Sequence, residues 1–421
     1  MNIALMHFRA GETDGVSLEM DKWKKAMKHL GHECLIVSGC GGDYNHPYLD
    51  FRHSKVQNFF ANAFSALNVT PSALEELAQE IYDKISIFLE ETFRNISPQI
   101  LIVNNVFSLP LNIPLAKCIV NLAQKYNIKI IGFHHDFYWE REIYDTTCSY
   151  IDNELQQYFP PCSLEKHLVI NSIAQNSLEK QKKMSSIVVD NYFDFEKVTF
   201  EKDNYNVELR QKLNIGENDI FVLHATRIVR RKGIEFALQT CAAIQQKLVD
   251  ENDPRKVHIV FPGLQEDTIY LEELKKYAEF YKIEPQFIPD LCTHTRESGT
   301  FSLWDFYVEA DLVTYTSLYE GWGNQLIEAI AAKKPIILYE YPVFESNIKQ
   351  LGFETFSLGN SYKEENHIRY IDKQIIDKVV IDILEFLRSP NVGMLERNYE
   401  IAKKHLSIGA LEQVCEKLLK C

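Results

Sequence analysis

Short runs of apolar, often β-branched residues recur along the chain, and stretches of helical character separate them. A parallel sheet buries both of its faces, so its strands show continuous rather than alternating apolarity. The pattern therefore predicts an α/β protein with doubly wound sheets. The runs of the first half lie at residues 3–8, 33–38, 100–105, 129–135, 167–172 and 186–191, and those of the second half at 220–226, 257–263, 285–290, 311–316 and 335–340.

The strand pattern is interrupted by a polar segment near residues 192–206. A chain of 421 residues is long enough to bury two cores. We therefore predict one Rossmann-like domain over residues 1–195 and a second over 206–390. Helical patterns continue beyond a break near Ser389 and Pro390, and residues 391–421 are expected to form helices that pack back on the first domain.

Composition narrows the classes of function. A net charge of −14 opposes binding to nucleic acid, which depends on a basic surface. The N-terminal segment lacks the basic start and cleavage pattern of a secretory signal, and no apolar stretch approaches the roughly 20 residues that span a bilayer. The nine cysteines are scattered without a Cys-x-x-Cys pair, which disfavours a zinc site or a disulfide framework. These features predict a cytoplasmic protein without an integral membrane segment.

A loop with two glycines follows the run at 311–316 and leads into a helical segment. Glycines allow a ligand to approach the backbone, and a helix N-terminus presents unpaired N–H groups to an anion. A phosphate near Gly323 would lie between the carboxylates of Glu320 and Glu328. These carboxylates are candidates to bind sugar hydroxyls and a ribose, respectively. The structural alternative is an amphipathic helix with a glycine-rich start.

A basic segment directly follows the run at 220–226 and contains Arg227, Arg230, Arg231 and Lys232. Most charge runs are solvated turns, but this one follows a strand in an acidic chain, which favours a function. Arg227 and Lys232 can neutralise the charge that develops on a departing diphosphate, as a metal ion does in other enzymes.

Both segments resemble conserved elements of family 4 retaining glycosyltransferases, which have the GT-B fold. RIVRRKG resembles the family's Arg-x4-Lys-Gly element, and YEGWGNQLIEAIAAKKPII resembles its element of two glutamates separated by seven residues. The resemblance extends over most of the chain. It implies two Rossmann-like domains facing a cleft, an N-terminal one on the acceptor side and a C-terminal one for the nucleotide-sugar donor, with C-terminal helices crossing back to the first. The segments TDGVSLEMDKW and HDFYWER look most like enzymes that build small glycosides, such as mannosylglucosylglycerate synthases.

The resemblance also implies roles for individual residues. The family's arginine and lysine bind the donor diphosphate, which gives these roles to Arg227 and Lys232. Its first glutamate contacts the donor sugar and its second the ribose, which gives these roles to Glu320 and Glu328. The residues between the glutamates donate backbone N–H groups to the donor, and the candidates are Gly323, Asn324 and Gln325. Trp322 and Asn324 depart from the residues usual in the family, which leaves the donor open.

In the N-terminal half, a loop after the first run opens a helix at Gly15, and the N–H groups there are candidates to bind the donor phosphates, with the acceptor as the alternative ligand. Asp14 is a candidate acceptor ligand, and capping of the helix is the alternative. His135 and Asp136 resemble the family's His-Asp turn, in which the histidine sits beside the donor sugar.

Further candidate acceptor ligands follow strand ends. Aromatic faces and a guanidinium suit a sugar ring or an anionic group, with core packing as the alternative for the rings. Asn105 is a candidate by position, with a turn as the alternative. The candidate acceptor-binding residues are Asp14, Asn105, Asp136, Tyr138, Trp139 and Arg141.

The sequence thus predicts a retaining hexosyltransferase that uses a donor of the UDP-glucose or GDP-mannose type and a small polar or glycoside acceptor. Arg227, Lys232, Glu320 and His135 are its predicted catalytic residues. The resemblance implies that the leaving phosphate accepts the acceptor's proton, so neither a metal ion nor a cofactor beyond the nucleotide sugar is expected. The alternatives are a sugar nucleotide epimerase, a phosphorylase or a noncatalytic nucleotide-sugar-binding module.

Overall fold

The computed structural model describes residues 1–12, 14–293, 295–297, 299–365 and 368–420. The chain forms two compact units, each with its own sheet. The first unit contains Met1–Tyr192 and Ile408–Cys421, and the second contains Phe193–Ser407.

A seven-stranded parallel sheet forms the centre of the first unit. Its strands are β1 (Asn2–Met6), β2 (Glu33–Ser38), β3 (Tyr44–Asn45), β4 (Ile100–Asn104), β5 (Lys129–His134), β6 (Lys166–Val169) and β7 (Ile187–Val188). They are arranged in the order β3-β2-β1-β4-β5-β6-β7, so the direction of winding reverses between β1 and β4.

Both faces of this sheet are buried. Alternate residues of β1 belong to two separate hydrophobic clusters, with Ile3 and Leu5 in one and Ala4 and Met6 in the other. The helices of this unit are α1 (Gly15–His29), α2 (Ser54–Phe64), α3 (Pro71–Ile96), α4 (Ile113–Tyr126), α5 (Ser149–Tyr158) and α6 (Ser172–Lys182), and the last helix of the chain joins them. Burial on both faces explains the continuous apolarity of the strands.

Local sequence signals set the helix boundaries in this unit. Thr70 accepts a hydrogen bond of 3.2 Å from the Ala73 N–H, and Pro71 occupies the first turn of α3. Asn127 ends α4 in a left-handed conformation at φ 54°, which asparagine tolerates better than most residues.

The second unit is also built on a parallel sheet, with six strands. The strands of the unit are β8 (Ile220–Leu223), β9 (Val257–Phe261), β10 (Gln286–Phe287), β11 (Cys292–Thr293), β12 (Phe301–Ser302), β13 (Leu312–Tyr315), β14 (Ile336–Leu338), β15 (Phe356–Ser357), β16 (Lys363–Glu365) and β17 (Ile368–Tyr370). The main sheet has the order β10-β9-β8-β13-β14-β15, while β11 pairs with β12 and β16 with β17. The winding reverses between β8 and β13.

Helices cover this sheet and complete the unit. They are α7 (Glu208–Lys212), α8 (Ile234–Asp250), α9 (Thr268–Tyr281), α10 (Leu303–Glu309), α11 (Asn324–Ala331), α12 (Lys373–Arg388) and α13 (Val392–Leu406). The two Rossmann-like sheets confirm the predicted fold class. Ligands of open α/β sheets bind beyond the carboxyl ends of the strands where the winding reverses. The loops after β1, β4, β8 and β13 are therefore the ones that define candidate sites.

The boundary between the units differs in detail from the predicted domain limits. The first unit ends at Tyr192, within the predicted range of 1–195, and the predicted terminal segment 391–421 is divided. Helix α13 contacts α11 of the second unit, and α14 (Ile408–Leu419) contacts α1 of the first. The reason is hydrophobic, because Ala402 and Leu406 of α13 are buried in the core of the second unit.

Candidate functional site

The loop between β13 and α11 requires glycine at one position. Gly323 has φ 128°, and a Cβ atom there would lie 2.2 Å from the Tyr341 hydroxyl. That hydroxyl donates a hydrogen bond of 2.8 Å to the carbonyl of Trp322. This hydrogen bond holds the loop against the segment that follows β14. The backbone of the loop leads directly into the N-terminus of α11.

The loop after β8 contacts this first loop. It contains a short 3₁₀ helix, Arg230–Lys232, followed by Gly233 at φ 54°. A Cβ atom on Gly233 would lie 2.4 Å from the carbonyl oxygen of Thr316. The Leu318 N–H also donates a hydrogen bond of 2.8 Å to the Arg231 carbonyl. Two segments more than eighty residues apart in the sequence thus meet at the β8/β13 reversal.

Lys232 and Glu320 form an ion pair at this meeting point. The side chains are nearly inaccessible, with 4% of Lys232 and 8% of Glu320 exposed. Arg231 contacts the other carboxylate oxygen, since its Nη1 lies 2.8 Å from Oε2 of Glu320. The structure therefore brings together two predicted residues, Lys232 and Glu320, and adds Arg231 to them.

Burial and charge act on this pair in opposite directions. Burial alone would raise the pKa of Glu320, but the charges of Lys232 and Arg231 outweigh it and lower the pKa below its ordinary value. Burial lowers the pKa of Lys232, and Glu320 opposes that change. The carboxylate of Glu320 is thus ionised at neutral pH, and the cluster of Lys232, Arg231 and Glu320 retains one net positive charge while Lys232 is protonated.

Arg227 lies at the edge of this cluster. Its guanidinium binds both oxygens of Glu266, at 2.8 and 2.9 Å, and half of its side chain is exposed. It is close enough that its charge contributes to lowering the pKa of Lys232, after the effects of burial, Glu320 and Arg231. Arg227 therefore shares the electrostatic environment of Lys232 without contacting Glu320.

The first turns of α11 contain the remaining donor candidates. Gly323 caps the helix, and Asn324 and Gln325 begin it. Glu328 lies further along this helix and accepts a hydrogen bond of 3.1 Å from the buried Tyr307 hydroxyl. Glu328 is half-buried, and this contact ties its carboxylate to the buried Tyr307.

In the first unit, Asn104, Asn105 and His135 form one hydrogen-bonded group at the β1/β4 reversal. Asn105 adopts a left-handed φ of 59°, and its side-chain oxygen accepts a hydrogen bond of 2.7 Å from the His135 N–H. The His135 ring lies 3.3 Å from the side-chain oxygen of Asn104. Asn105 thus holds the His135 backbone, which is a positioning contact.

His135 is a neutral imidazole in this environment. Its pKa is lowered to about 3, chiefly by burial and to a smaller extent by the nearby His7, while Asp14 opposes the change. Its ring also packs on Phe133, with 4.3 Å between the ring centroids. A neutral ring can both donate and accept hydrogen bonds, as recognition of sugar hydroxyls requires.

Asp14 caps α1, as the alternative interpretation proposed. Its carboxylate accepts hydrogen bonds from the N–H groups of Val16, at 3.1 Å, and Ser17, at 3.2 Å. The Ser17 hydroxyl adds a third bond of 2.7 Å. Gly15 is the first residue of the helix, so its backbone lies at the helix N-terminus as expected.

The segment after His135 is anchored by its aromatic residues. Trp139 stacks on Phe137 with centroids 4.4 Å apart, and its indole N–H donates a bond of 2.9 Å to Ser177. Tyr138 packs against the larger core of this unit. The charged residues of the segment pair with each other, since Arg141 Nη2 lies 2.9 Å from Oδ2 of Asp136. The aromatic rings therefore have structural contacts, while Asp136 and Arg141 stay partly exposed.

The sequence did not indicate a site role for three arginines, Arg9, Arg52 and Arg231. Arg231 was recognised as part of the basic segment, but its contact with Glu320 depends on a loop encountered much later in the chain. Arg9 follows β1 by three residues, and its position beyond a strand end could have indicated it. Arg52 belongs to a segment without a local pattern, and only the fold brings it beside Arg9 through Glu12.

Among the described residues, no three histidine, cysteine or acidic side chains are grouped in a way that could hold a metal ion. Within the same residues, no helix combines the length and the apolar character that crossing a membrane requires.

Similarity to known sequences identifies the class of protein. A family model described as "Glycosyl transferases group 1" matches residues 206–378, which include both loops of the second unit. Curated relatives match nearly the whole chain at 38% and 34% identity. The chain therefore belongs to the family of group 1 glycosyltransferases. This membership confirms the family that the two motifs predicted.

The two curated relatives that match nearly the whole chain have the same name. The chain is 38% identical over 432 residues to the mannosylglucosylglycerate synthase of Petrotoga mobilis, and the match covers 97% of each chain. It is 34% identical over 434 residues to the mannosylglucosylglycerate synthase of Thermotoga maritima, with 99% of each chain covered.

Solved structures with low sequence identity have the same fold. A glycosyltransferase from Rickettsia africae gives a TM-score of 0.61 at 14% identity, covering 99% of this chain and 97% of that one. The Anabaena protein HepE, solved in complex with UDP, gives 0.62 at 14% identity and covers 100% of both chains. These similarities confirm the GT-B architecture.

Proposed function

We propose that the protein transfers a mannosyl group from a nucleotide diphosphate sugar to a small glycoside of glycerate. The observation that carries this proposal is the full-length similarity, at 38% and 34% identity, to two mannosylglucosylglycerate synthases. Their name describes a compound with mannosyl, glucosyl and glycerate parts. GDP-mannose is therefore the first donor to test, and UDP-glucose is the second.

In this proposal the second unit binds the donor. Lys232 and Arg227 neutralise the charge that develops on the departing diphosphate, which is the role that a metal ion has in other enzymes. The Lys232 ammonium has three N–H donors and uses one on Glu320, so it can bind Glu320 and a phosphate oxygen together.

The two glutamates bind the sugars of the donor. The Glu320 oxygens contact Lys232 and Arg231, but each has a second lone pair that can accept a hydrogen bond from a sugar hydroxyl. Glu328 accepts a bond from Tyr307 in a position suited to the ribose. The N–H groups at the start of α11, from Gly323 to Gln325, bind the phosphates between these two sugars.

The reaction retains the anomeric configuration and requires no metal ion. The bond between the anomeric carbon and the phosphate oxygen breaks, and the acceptor hydroxyl oxygen bonds to that carbon on the same face. The proton of this hydroxyl passes to the leaving phosphate oxygen. No carboxylate base is needed, because the protein stabilises charge and positions the reactants.

The first unit binds the acceptor in this proposal. The neutral His135 is placed by Asn105 and Asn104 and hydrogen-bonds a sugar hydroxyl. Asp136 and Arg141 are the partly exposed polar groups of the neighbouring segment. They are suited to bind the outer hydroxyls of a glycoside.

A transfer assay tests this function. The purified protein is incubated with glucosylglycerate and either GDP-mannose or UDP-glucose, with and without a chelator. We expect a mannosylated product with GDP-mannose, unchanged turnover in the chelator, and an NMR coupling constant that reports retention. Product formation only after addition of a divalent metal would contradict the mechanism, and absence of any glycosylated product would contradict the function.

Lys232→Ala tests the diphosphate assignment directly. Removing one preorganised charge that acts on a developing anion typically lowers kcat by about 10²–10³-fold, and we expect a loss of this size. Lys275→Ala is the matched control, because Lys275 is an exposed residue of α9 that pairs with Glu272 on the same helix. Full turnover in Lys232→Ala would exclude the proposed role, and circular dichroism establishes that the variant is folded.

A further inference from the structure

Two arginines of the first unit share one carboxylate. Nη1 of Arg9 lies 3.1 Å from Oε2 of Glu12, and Nη2 of Arg52 lies 2.7 Å from Oε1 of the same residue. The side chains are partly exposed, by 26% for Arg9, 43% for Arg52 and 33% for Glu12. Solvent, and therefore a ligand, can reach this group.

The guanidinium of Arg52 is held in place independently of Glu12. Its Nε lies 3.0 Å from Oδ1 of Asp50, and its Nη2 lies 2.7 Å from Oδ2 of the same residue. Asp50 is buried, so its carboxylate is a fixed anchor for this two-point contact. The planar guanidinium therefore keeps its orientation if Glu12 moves away.

Arg9 is also positioned by other groups. Its guanidinium lies over the ring of Phe51, 5.4 Å from the centroid, and its Nε is 3.5 Å from Oδ2 of Asp14. The Asp14 carboxylate is itself committed to capping α1. Glu12, in contrast, lies on the loop between β1 and α1, outside any helix or strand. The two guanidinium groups are thus preorganised, and the Glu12 carboxylate is the partner that a ligand can displace.

This group lies beside the proposed acceptor site. His7, two residues before Arg9, donates a hydrogen bond of 2.8 Å from Nδ1 to the Asn104 carbonyl, and the Asn104 side chain contacts His135. Burial lowers the pKa of His7 to about 4, and the charge of Arg9 contributes to the lowering. Arg9 and His135 are therefore parts of one polar region beyond the ends of β1, β4 and β5.

We propose that Arg9 and Arg52 bind the carboxylate of the acceptor's glycerate part, and that Glu12 occupies this position until the acceptor replaces it. This inference rests on the proposed function. Exchange of one carboxylate for another leaves the charge at the site unchanged, since Arg9 and Arg52 still face Asp14 and Asp50 together with one further anion. An uncharged acceptor cannot replace Glu12 in this way. The exchange therefore selects glycosides that carry a carboxylate.

The test compares two acceptors that differ only in this group, glucosylglycerate and the neutral glucosylglycerol. A hydrogen-bonded contact to a charged group typically changes affinity by roughly 10- to 100-fold. We expect Arg9→Gln and Arg52→Gln to lower kcat/KM for glucosylglycerate by this factor while changing it less than about threefold for glucosylglycerol. Glu12→Gln should raise kcat/KM for glucosylglycerate several-fold, because it weakens the internal competitor.

Arg94→Gln is the matched control. Arg94 lies at the end of α3, before β4, and is an exposed arginine of the same unit that pairs with Glu90. It should leave the preference between the two acceptors unchanged. If Arg9→Gln and Arg52→Gln reduce turnover of both acceptors equally, or of neither, the carboxylate assignment is overturned.

Calorimetric titration without donor separates this inference from the proposed function. We expect the wild-type protein to bind glucosylglycerate at least tenfold more tightly than glucosylglycerol, and Glu12→Gln to widen the difference. Preferential binding without any transfer would uphold the carboxylate site and overturn the proposed function. Transfer with an unchanged preference in Arg52→Lys and Arg52→Gln, or failure of the wild type to bind glucosylglycerate, would overturn the carboxylate site.

Discussion

At the scale of single residues, the buried polar groups around Lys232 form one electrostatic unit. His224 directly follows β8 and is fully buried. Its two ring nitrogens lie 2.9 Å from the hydroxyls of Thr314 and Thr226. A proton on His224 would place a second buried positive charge near Lys232 and repel its ammonium group. The neutral His224 ring therefore helps Lys232 to remain protonated.

This arrangement predicts that acid destabilises the protein well above the pKa values of carboxylates. Burial, followed by the charge of Lys232, lowers the pKa of His224 from 6.5 to about 3. Between these values the unfolded chain binds a proton that the folded protein does not, so stability falls as the pH falls from 6.5 towards 3. We expect a loss of about 1.4 kcal/mol per pH unit from such a residue.

Urea unfolding at pH 7.5 and pH 5.5 measures this effect. His224→Gln should lose less free energy of unfolding between the two pH values than the wild type, since glutamine does not titrate. His405→Gln is the control, because His405 is an exposed residue of α13. Equal losses in the wild type and His224→Gln would show that His224 does not contribute.

At the scale of elements, the loop from β13 to α11 depends on the backbone conformation of Gly323. Gly323→Ala would force a Cβ atom to within 2.2 Å of the Tyr341 hydroxyl at a φ of 128°. We expect a loss of about 1–3 kcal/mol of stability, the usual cost of a strained backbone position, and weaker nucleotide binding. The movement of the loop would shift the N–H groups that begin α11.

Gly393→Ala is the matched substitution for this prediction. A Cβ atom there would lie 3.4 Å from the nearest atom, at the start of α13 and at an ordinary φ. It should change stability by no more than about 1 kcal/mol, and in the stabilising direction, because alanine favours a helix. Thermal unfolding with and without GDP or UDP measures both variants, and an unimpaired nucleotide response in Gly323→Ala would contradict the role of the loop.

The elements differ in how far local sequence determines them. The apolar runs predict the central strands well, because burial on both faces leaves a continuous signal in each strand. Short edge strands such as β10 and β7 were predicted four residues too long, since their ends are fixed by pairing with a neighbour. The hairpin of β16 and β17 carries no comparable apolar run and was not predicted.

The candidate site shows the same division. Glycine loops and charges after strand ends predicted Lys232, Glu320 and their order along the chain. The additional contacts of Arg231 with Glu320, and of Arg52 with Glu12, join segments separated by 89 and 40 residues in the sequence. Such pairings are properties of the sheet order, and no local pattern encodes them.

At the scale of the whole molecule, the chain passes from the first unit to the second after Tyr192 and returns after Ser407. Within the second unit these two points are adjacent, because the Phe193 N–H donates a hydrogen bond of 2.7 Å to the Leu406 carbonyl. The last helix, α14, then belongs to the first unit, where it packs on α1. The C-terminal helix thus supports the helix whose N-terminus begins the proposed acceptor site.

Leu411→Ala tests this coupling. Leu411 is fully buried between α14 and the core of the first unit, and removing such a side chain typically costs about 2–5 kcal/mol. Because α14 supports α1, we expect hydrogen exchange to increase in both helices and the KM for the acceptor to rise. Nucleotide binding should be retained, since the Lys232 cluster belongs to the other unit and is held by its own core.

Gln413→Ala, at an exposed position of the same helix, is the control and should match the wild type. Hydrogen exchange measured with and without GDP or UDP then separates the two units within one experiment. Protection by nucleotide should appear near residues 227–233 and 320–328 in both variants, because a ligand stabilises only the state that binds it. If Leu411→Ala abolished that protection as well, the stability of the donor site would depend on α14, and the independence of the two cores would be disproved.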